Sequence, residues 1–155
     1  MKKYKFENIT ILFDESKLLN YIDDHIRNSD KETGGVLCGY YTEDKVSAVI
    51  TDFLEPTKDS ILGRASFVRG ISGLKEMLDE KWKEGKYYLG DWHLHPYSSP
   101  SASGQDVSQL IQNSRDGSLK CPEPIMVIIG GKTNMAINLY VCFHGVVKEC
   151  IEMDN

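Results

Sequence analysis

Apolar residues along this chain recur in two periods, every second residue or every third and fourth, and the switches between them predict its elements. Ile9 to Phe13 reads as a first strand. Asp14 or Ser16 then caps a helix whose apolar face is Leu18, Leu19, Ile22 and Ile26, with His25 on its polar surface. Ser29-Asp30-Lys31 makes a loop, and Glu32 begins a second strand whose body runs from Gly35 to Tyr41. Glycines at 34, 35 and 39 weaken such a strand, so they call for close approach of another backbone or a ligand. Thr42-Glu43-Asp44-Lys45 turns the chain into a third strand, Val46 to Leu54. Glu55 to Gly63 is polar, a natural cleft-edge loop, and Ala65 to Val68 is a further short strand.

Ile71, Leu74, Met77, Leu78 and Trp82 recur at helical spacing, which predicts a helix packed on the core through that stripe, Trp82 included. Gly85 stands where a left-handed residue would stop it. Tyr87-Tyr88-Leu89 leads into another strand, ended by Pro96. A helix from about Ser103 to Arg115, a turn at Asp116-Gly117-Ser118 and a fully buried strand at Ile125 to Ile129 follow. Met135 to Phe143 and Val146 to Ile151 read as a closing hairpin. Strands and helices are mixed, without repeats or a linker. The expected class is α/β (α+β): a single domain over 1–155, with a central mixed β-sheet flanked by helices.

Composition narrows the function classes. The 155 residues are 41% hydrophobic and 26% charged, an ordinary globular balance with length enough for one core. A net charge of −5 with no basic stripe argues against nucleic acid as a partner. The apolar run after Lys2-Lys3-Tyr4-Lys5 is broken by Thr10 and stopped by Asp14-Glu15, too short for export or for a membrane span. Four cysteines without a Cys-x-x-Cys pair fit buried thiols in a cytoplasmic protein.

The chemistry gathers at Gly90-Asp91-Trp92-His93-Leu94-His95-Pro96. Side chains two apart on a strand share a face, so His93 and His95 can converge on one ion while Trp92 and Leu94 face apolar packing. Asp106 opens the next helical pattern, with Val107, Leu110 and Ile111 on one face, and projects a carboxylate from its first turn. Two histidines and one carboxylate, with a fourth position for water, make a catalytic rather than a structural zinc set, one ion per chain. A lone histidine at a strand end is usually a rim residue, and Ser103-x-x-Asp106 usually a helix cap. All these features in the order a metal site needs are far less common. Other zinc chemistries fit worse: there is no His-Glu-x-x-His, and Cys121 lacks the second cysteine of a deaminase. Cys142-x-His144 near Cys150 is a weak second metal pattern, better read as hairpin packing.

His93-x-His95, ten residues and then Asp106, with Ser103 three before it, resembles the JAMM motif of the JAB/MPN metalloproteases. The Glu32-Thr33-Gly34-Gly35-Val36-Leu37-Cys38-Gly39 stretch resembles that motif's upstream glutamate beside a Gly-rich strand. The resemblance runs from about Ile11 to Tyr140 and is strongest to the prokaryotic branch, in particular to the deconjugating proteases of type II CBASS antiphage operons. Leu94 departs from the Ser or Thr usual in the eukaryotic branch, but points away from the metal.

The resemblance implies a JAB/MPN-like fold and a zinc isopeptidase with His93, His95 and Asp106 as ligands and Glu32 as the base. It implies that Ser103 hydrogen-bonds the oxyanion; the same hydroxyl also fits a helix N-cap, and one group can serve both. The implied substrate is a protein with a flexible C-terminal tail, ubiquitin-like or a CD-NTase, conjugated to an amine. The segments Glu55 to Arg64 and Ala65 to Arg69 would line the tail's path, since extended peptides are often held by strand addition. A non-catalytic JAB/MPN scaffold is the alternative, disfavoured because every motif position is filled.

Overall fold

The computed structural model describes residues 1–25, 30–131 and 133–154, His25 in its backbone alone; Ile26, Ser29 and the His25 side chain lie outside the described residues. The chain opens with a strand the hydrophobic pattern left out, β1 (Lys2–Phe6), paired antiparallel with β2 (Ile9–Phe13). Its lysines conceal a period of two: Tyr4 and Phe6 are buried, while Lys3 and Lys5 alternate with them and are exposed. Helix α1 (Glu15–His25) follows, entered through Asp14, whose Oδ1 accepts from the Ser16 N–H at 3.0 Å.

Strands β3 (Thr33–Tyr41) and β4 (Ser47–Phe53) form the next antiparallel pair. The polar stretch after them holds a two-residue hairpin, β5 (Ile61–Leu62) with β6 (Phe67–Val68). Then come α2 (Leu74–Lys83), β7 (Tyr87–His95), α3 (Gly104–Arg115), β8 (Ile125–Gly130) and β9 (Ala136–Phe143). The last strands are β10 (Val146–Glu149) and β11 (Ile151–Met153). Nine strands form one sheet in the order β10-β9-β8-β7-β3-β4-β2-β1-β11, mixed because β2–β4 and β7–β8 run parallel.

The end of the chain corrects the expected closing hairpin. β10 pairs with β9 as anticipated, through a turn with His144 at φ 51° and Gly145 at φ 77°. Ile151 then leaves, and β11 pairs with β1 at the other end of the sheet. One residue, Cys150, separates the two pairings, so the sheet coils until its ends meet; the rings of Phe6 and Phe143 lie 5.5 Å apart across that join.

The coil encloses the main core. Ile11, Phe13, Leu37, Trp92, Leu94, Val127 and Ile129 meet Leu18 and Ile22 of α1 there. The opposite face carries α2 over Val36, Cys38, Tyr88 and Leu119, and α3 over Met126, Ile128 and Cys142. Each Leu, Ile or Phe so buried contributes roughly 1.5–3 kcal/mol. The α2 stripe is shallower than its spacing suggests. Leu74 is buried, but Ile71 is 75% and Trp82 66% exposed, so Trp82 is a surface residue and not part of the core. Gly85 does end this helix in the left-handed region, at φ 76°. All four cysteines are buried and unpaired, and no described helix is long and apolar enough to cross a membrane.

Candidate metal centre

Strand β7 sets the site, and a bulge sets β7. Opposite it, β3 changes register between Leu37 and Cys38, leaving Leu89 without a partner residue. The extra residue puts Tyr88 and Asp91 on one face although they are three apart. From there the alternation continues, with His93 and His95 on that outer face and Trp92 and Leu94 in the core. Glycine is required at the kink, since a Cβ on Gly90 would lie 1.7 Å from the Ile125 carbonyl oxygen.

Across from His93 stands Gly34. A Cβ there would come within 2.8 Å of the His93 ring and 2.9 Å of Phe67, whose ring meets His93 edge-on with centroids 5.2 Å apart. The glycines of β3 thus have the expected reason, close approach, and one of the approaching groups is His93 itself.

Asp106 reaches the histidines from the first turn of α3. A capping box fixes that turn: the Ser103 hydroxyl accepts from the Asp106 N–H at 3.1 Å, and the Ser103 N–H donates to Asp106 Oδ2 at 2.9 Å. The loop between His95 and Ser103 is pinned too, with Pro100 and Ser98 packed so close to Gly130 that a Cβ there would clash with their backbone. The Ser99 carbonyl oxygen faces His95 Nδ1 at 3.3 Å.

His93, His95 and Asp106 are 3%, 5% and 4% exposed, and among the described residues they form the cluster whose ligand atoms lie within 4.8 Å of one another. His93 Nδ1 is 2.9 Å from Asp106 Oδ1, and His95 Nε2 is 3.2 Å from Asp106 Oδ2. Tetrahedral zinc with bonds of about 2.0–2.2 Å spaces its ligand atoms about 3.3 Å apart. The donor set fits in a second way: His95 Nε2 is buried and, though 3.2 Å from Asp106 Oδ2, makes no well-aligned hydrogen bond, a state that a shared metal would relieve.

Glu32 stands at the lip, with its Oε1 4.0 Å from His95 Nε2 and its side chain partly exposed. Its backbone N–H donates to the Gly63 carbonyl at 2.7 Å, so the 60s hairpin holds it in place. Burial opposes ionisation of the Asp106 carboxyl, but the two imidazoles and the Ser103 N–H outweigh it and hold the group well below the usual range. Burial raises Glu32 above its ordinary value, helped by Asp106 and opposed by the histidines. Burial works against a charged His95, yet Asp106 and Glu32 leave it raised overall.

One group near the site was not expected. Asp91, fully buried, accepts from Arg69 Nε, from the Tyr88 hydroxyl and, at 3.3 Å, from Asn113 Nδ2. Arg69 was expected to line a tail's path; its side chain is instead turned inward and 7% exposed. An acid inside an apolar strand always needs buried partners, so Asp91 was visible as a question in the sequence, but its partners were not.

Comparison with known proteins shows which family the chain resembles as a whole. Residues 16–141 match the family described as prokaryotic homologs of the JAB domain. The chain is 38% identical over 122 residues to a CD-NTase/cGAS isopeptidase of Enterobacter hormaechei, covering 79% of this chain and 68% of that protein. It is 32% identical over 125 residues to a probable metalloprotease of Sinorhizobium fredii, covering 77% and 76%. A solution structure of a protein from Desulfitobacterium hafniense superposes with a TM-score of 0.64 over 90% of this chain and 88% of that one; at 15% identity that likeness concerns the fold alone.

Proposed function

Because the chain belongs to the family of prokaryotic homologs of the JAB domain, we propose that it is a zinc-dependent isopeptidase acting on a protein conjugated through its C-terminal tail. The observation that carries the reading is the convergence of His93, His95 and Asp106, all buried and with ligand atoms close enough to share one ion, with Glu32 beside them. His93, His95 and Asp106 would hold the ion. When bound, zinc supplies Lewis acidity that makes hydroxide available near neutral pH.

The chain's own residues handle the proton and the charge. Glu32 takes the proton from the attacking water and hands it to the departing amine. The Ser103 oxygen already accepts from the Asp106 N–H, which leaves its hydrogen to donate to the oxyanion. One hydroxyl so serves as cap and oxyanion donor. The tail lies extended along the 60s hairpin, where Ile61 and Val68 present 66% and 42% of their surface. Relatives named as CD-NTase/cGAS isopeptidases support a CD-NTase-type tail over a generic peptide.

Purified protein is tested on two fusions, one carrying only the last residues of the modifier's tail and one lacking them. Cutting of the first and not the second is expected. Glu32→Gln should keep its zinc and lose about 10²–10⁴-fold in turnover. Tail-independent cleavage of unrelated proteins would make this a general peptidase, and wild-type turnover in Glu32→Gln would require another base, Glu55 being the next to try.

A further inference from the structure

We propose that Asp91 is the positioning residue of the metal centre, the one carboxylate that locks together the segments supplying its ligands and its base. The inference rests on the reading of His93, His95 and Asp106 as a metal site. Asp91 shares the outer face of β7 with His93 and His95, and its hydrogen bonds from Arg69, Tyr88 and Asn113 come from residues other than the proposed ligands. Its partners do the linking.

Through Asn113 it reaches α3. Asn113 lies two turns beyond Asp106, on the same buried helix face, and its amide donates to Asp91 Oδ1 at 3.3 Å while its own oxygen accepts from Gln109 at 3.0 Å. The bond fixes the rotation and height of the helix that presents Asp106 to the two histidines. Through Arg69 it reaches the 60s hairpin. Arg69 follows Phe67, the ring against His93, by two residues, and the same hairpin supplies the Gly63 carbonyl that holds the Glu32 backbone. Tyr88 adds a third bond from within β7, on the side where the bulge turned it.

Stability alone does not call for this arrangement. A buried carboxylate–guanidinium pair loses solvation that apolar residues of equal volume would not, and replacing such pairs is often neutral or stabilising. What an apolar set cannot supply is direction. Two hydrogen bonds from other elements to one carboxylate, which Tyr88 holds from within β7, set the relative placement of β7, α3 and the hairpin, which is what a set of ligands from two elements requires.

Asp91→Asn and Asn113→Ala are compared with wild type and with Leu18→Ala, which opens a cavity in the main core, on the other face of the sheet from this network. Zinc affinity is read by competition with a chelating dye, and the unfolding temperature is read on metal-free protein. The positioning role predicts that both site-network variants lose about 10–100-fold in zinc affinity. Leu18→Ala should lose far less, even with an equal or larger drop in unfolding temperature. Zinc affinity equal to wild type in both variants overturns the proposal, as does a loss no larger than that of Leu18→Ala. Should Asp91→Asn not fold, Asn113→Ala decides by the same criteria, because it removes a neutral partner and leaves the Arg69–Asp91 pair intact. A wild-type protein that takes up no zinc would overturn the metal site and this role together; a zinc-binding wild type with indifferent variants overturns this role alone.

Discussion

Helices α2 and α3 begin from the same sequence logic and end in different employment. Each is a short amphipathic helix, of 10 and 12 residues, laid on the outer face of the coiled sheet. In α3 the buried positions are Asp106, Leu110 and Asn113, so two of its three core contacts are polar and aimed at strand β7. In α2 Leu74 is buried, and Trp82 at the far end of the stripe stands in solvent. The N-termini differ as well. Ser103 closes a capping box at the turn that carries the ligand, while α2 starts from Gly73 with no side-chain cap. Just ahead of Gly73, the backbone is braced from outside the helix by Asp59, which accepts from the N–H groups of Ile71 at 2.9 Å and Ser72 at 2.8 Å. A helix that merely covers apolar surface tolerates a loose start. The helix that carries Asp106, the ligand proposed above, is fixed at that residue.

The contrast is sharpest in the ligand itself. Asp106→Ala should abolish zinc retention, because two protein ligands rarely hold zinc against buffer, and elemental analysis of the purified variant reads it directly. Full zinc occupancy in Asp106→Ala, or in His95→Ala, would remove the site and with it the privileged status of α3. Next in size is the core contact of each helix. Leu110→Ala, at a fully buried position, should cost about 2–5 kcal/mol in denaturant unfolding. Trp82→Ala should stay within about 0.5 kcal/mol. A Trp82 effect as large as that of Leu110 would mean the exposed indole is covered by something else in solution.

A smaller effect is expected at the cap. Ser103→Ala should cost about 1 kcal/mol through the lost bond to the Asp106 N–H. If the hydroxyl also donates to the oxyanion, turnover falls further than the metal content does. A variant with unchanged stability and unchanged turnover would leave Ser103 a bystander.

The smallest effect is an acid titration at the start of α2. Hydrogen bonds from the Ile71 and Ser72 N–H groups hold the Asp59 carboxyl down at about 2, below its ordinary 3.8. A depressed carboxyl contributes stability that is fully present above the ordinary value and is lost as pH falls through the lowered one. The brace on α2 should therefore persist through pH 4 and fail near pH 2, as followed by the Asp59 side-chain carbonyl resonance. A midpoint near 3.8 would show that the brace does not form in solution.

Much of this molecule was legible from local pattern alone. Ile9–Phe13, the buried run of β8 and the helix around Leu110 each carry their period within a few residues, and period reports which face is apolar. His93 and His95 were readable as partners because two residues on a strand necessarily share a face. Asp106 was readable because its place in a helical first turn is itself a local property. The Gly-rich strand announced a close approach, though not that His93 and the Leu54 and Val49 carbonyls would be the visitors.

What only the tertiary structure decided concerns residues whose partners lie far away in the chain. β1 carried no strand reading in the hydrophobic pattern, and it is a strand because β2 and β11 stand on either side of it. Ile151 could not be read as leaving its hairpin, since its new partner is the first strand of the chain. Trp82 carried the spacing of a core residue, but spacing names a face and not what stands opposite it; here nothing in the described fold covers the end of that stripe. Asp91 is the plainest instance. Its position two before His93 was fixed by sequence, whereas Tyr88 joined its face through a bulge, and Arg69 and Asn113 came to it from 22 residues away on either side. Local periodicity is a property of the backbone's own repeat and survives in the sequence. Which buried charge meets which donor depends on how separate elements pack, and that is settled only when the sheet has coiled and the helices have docked.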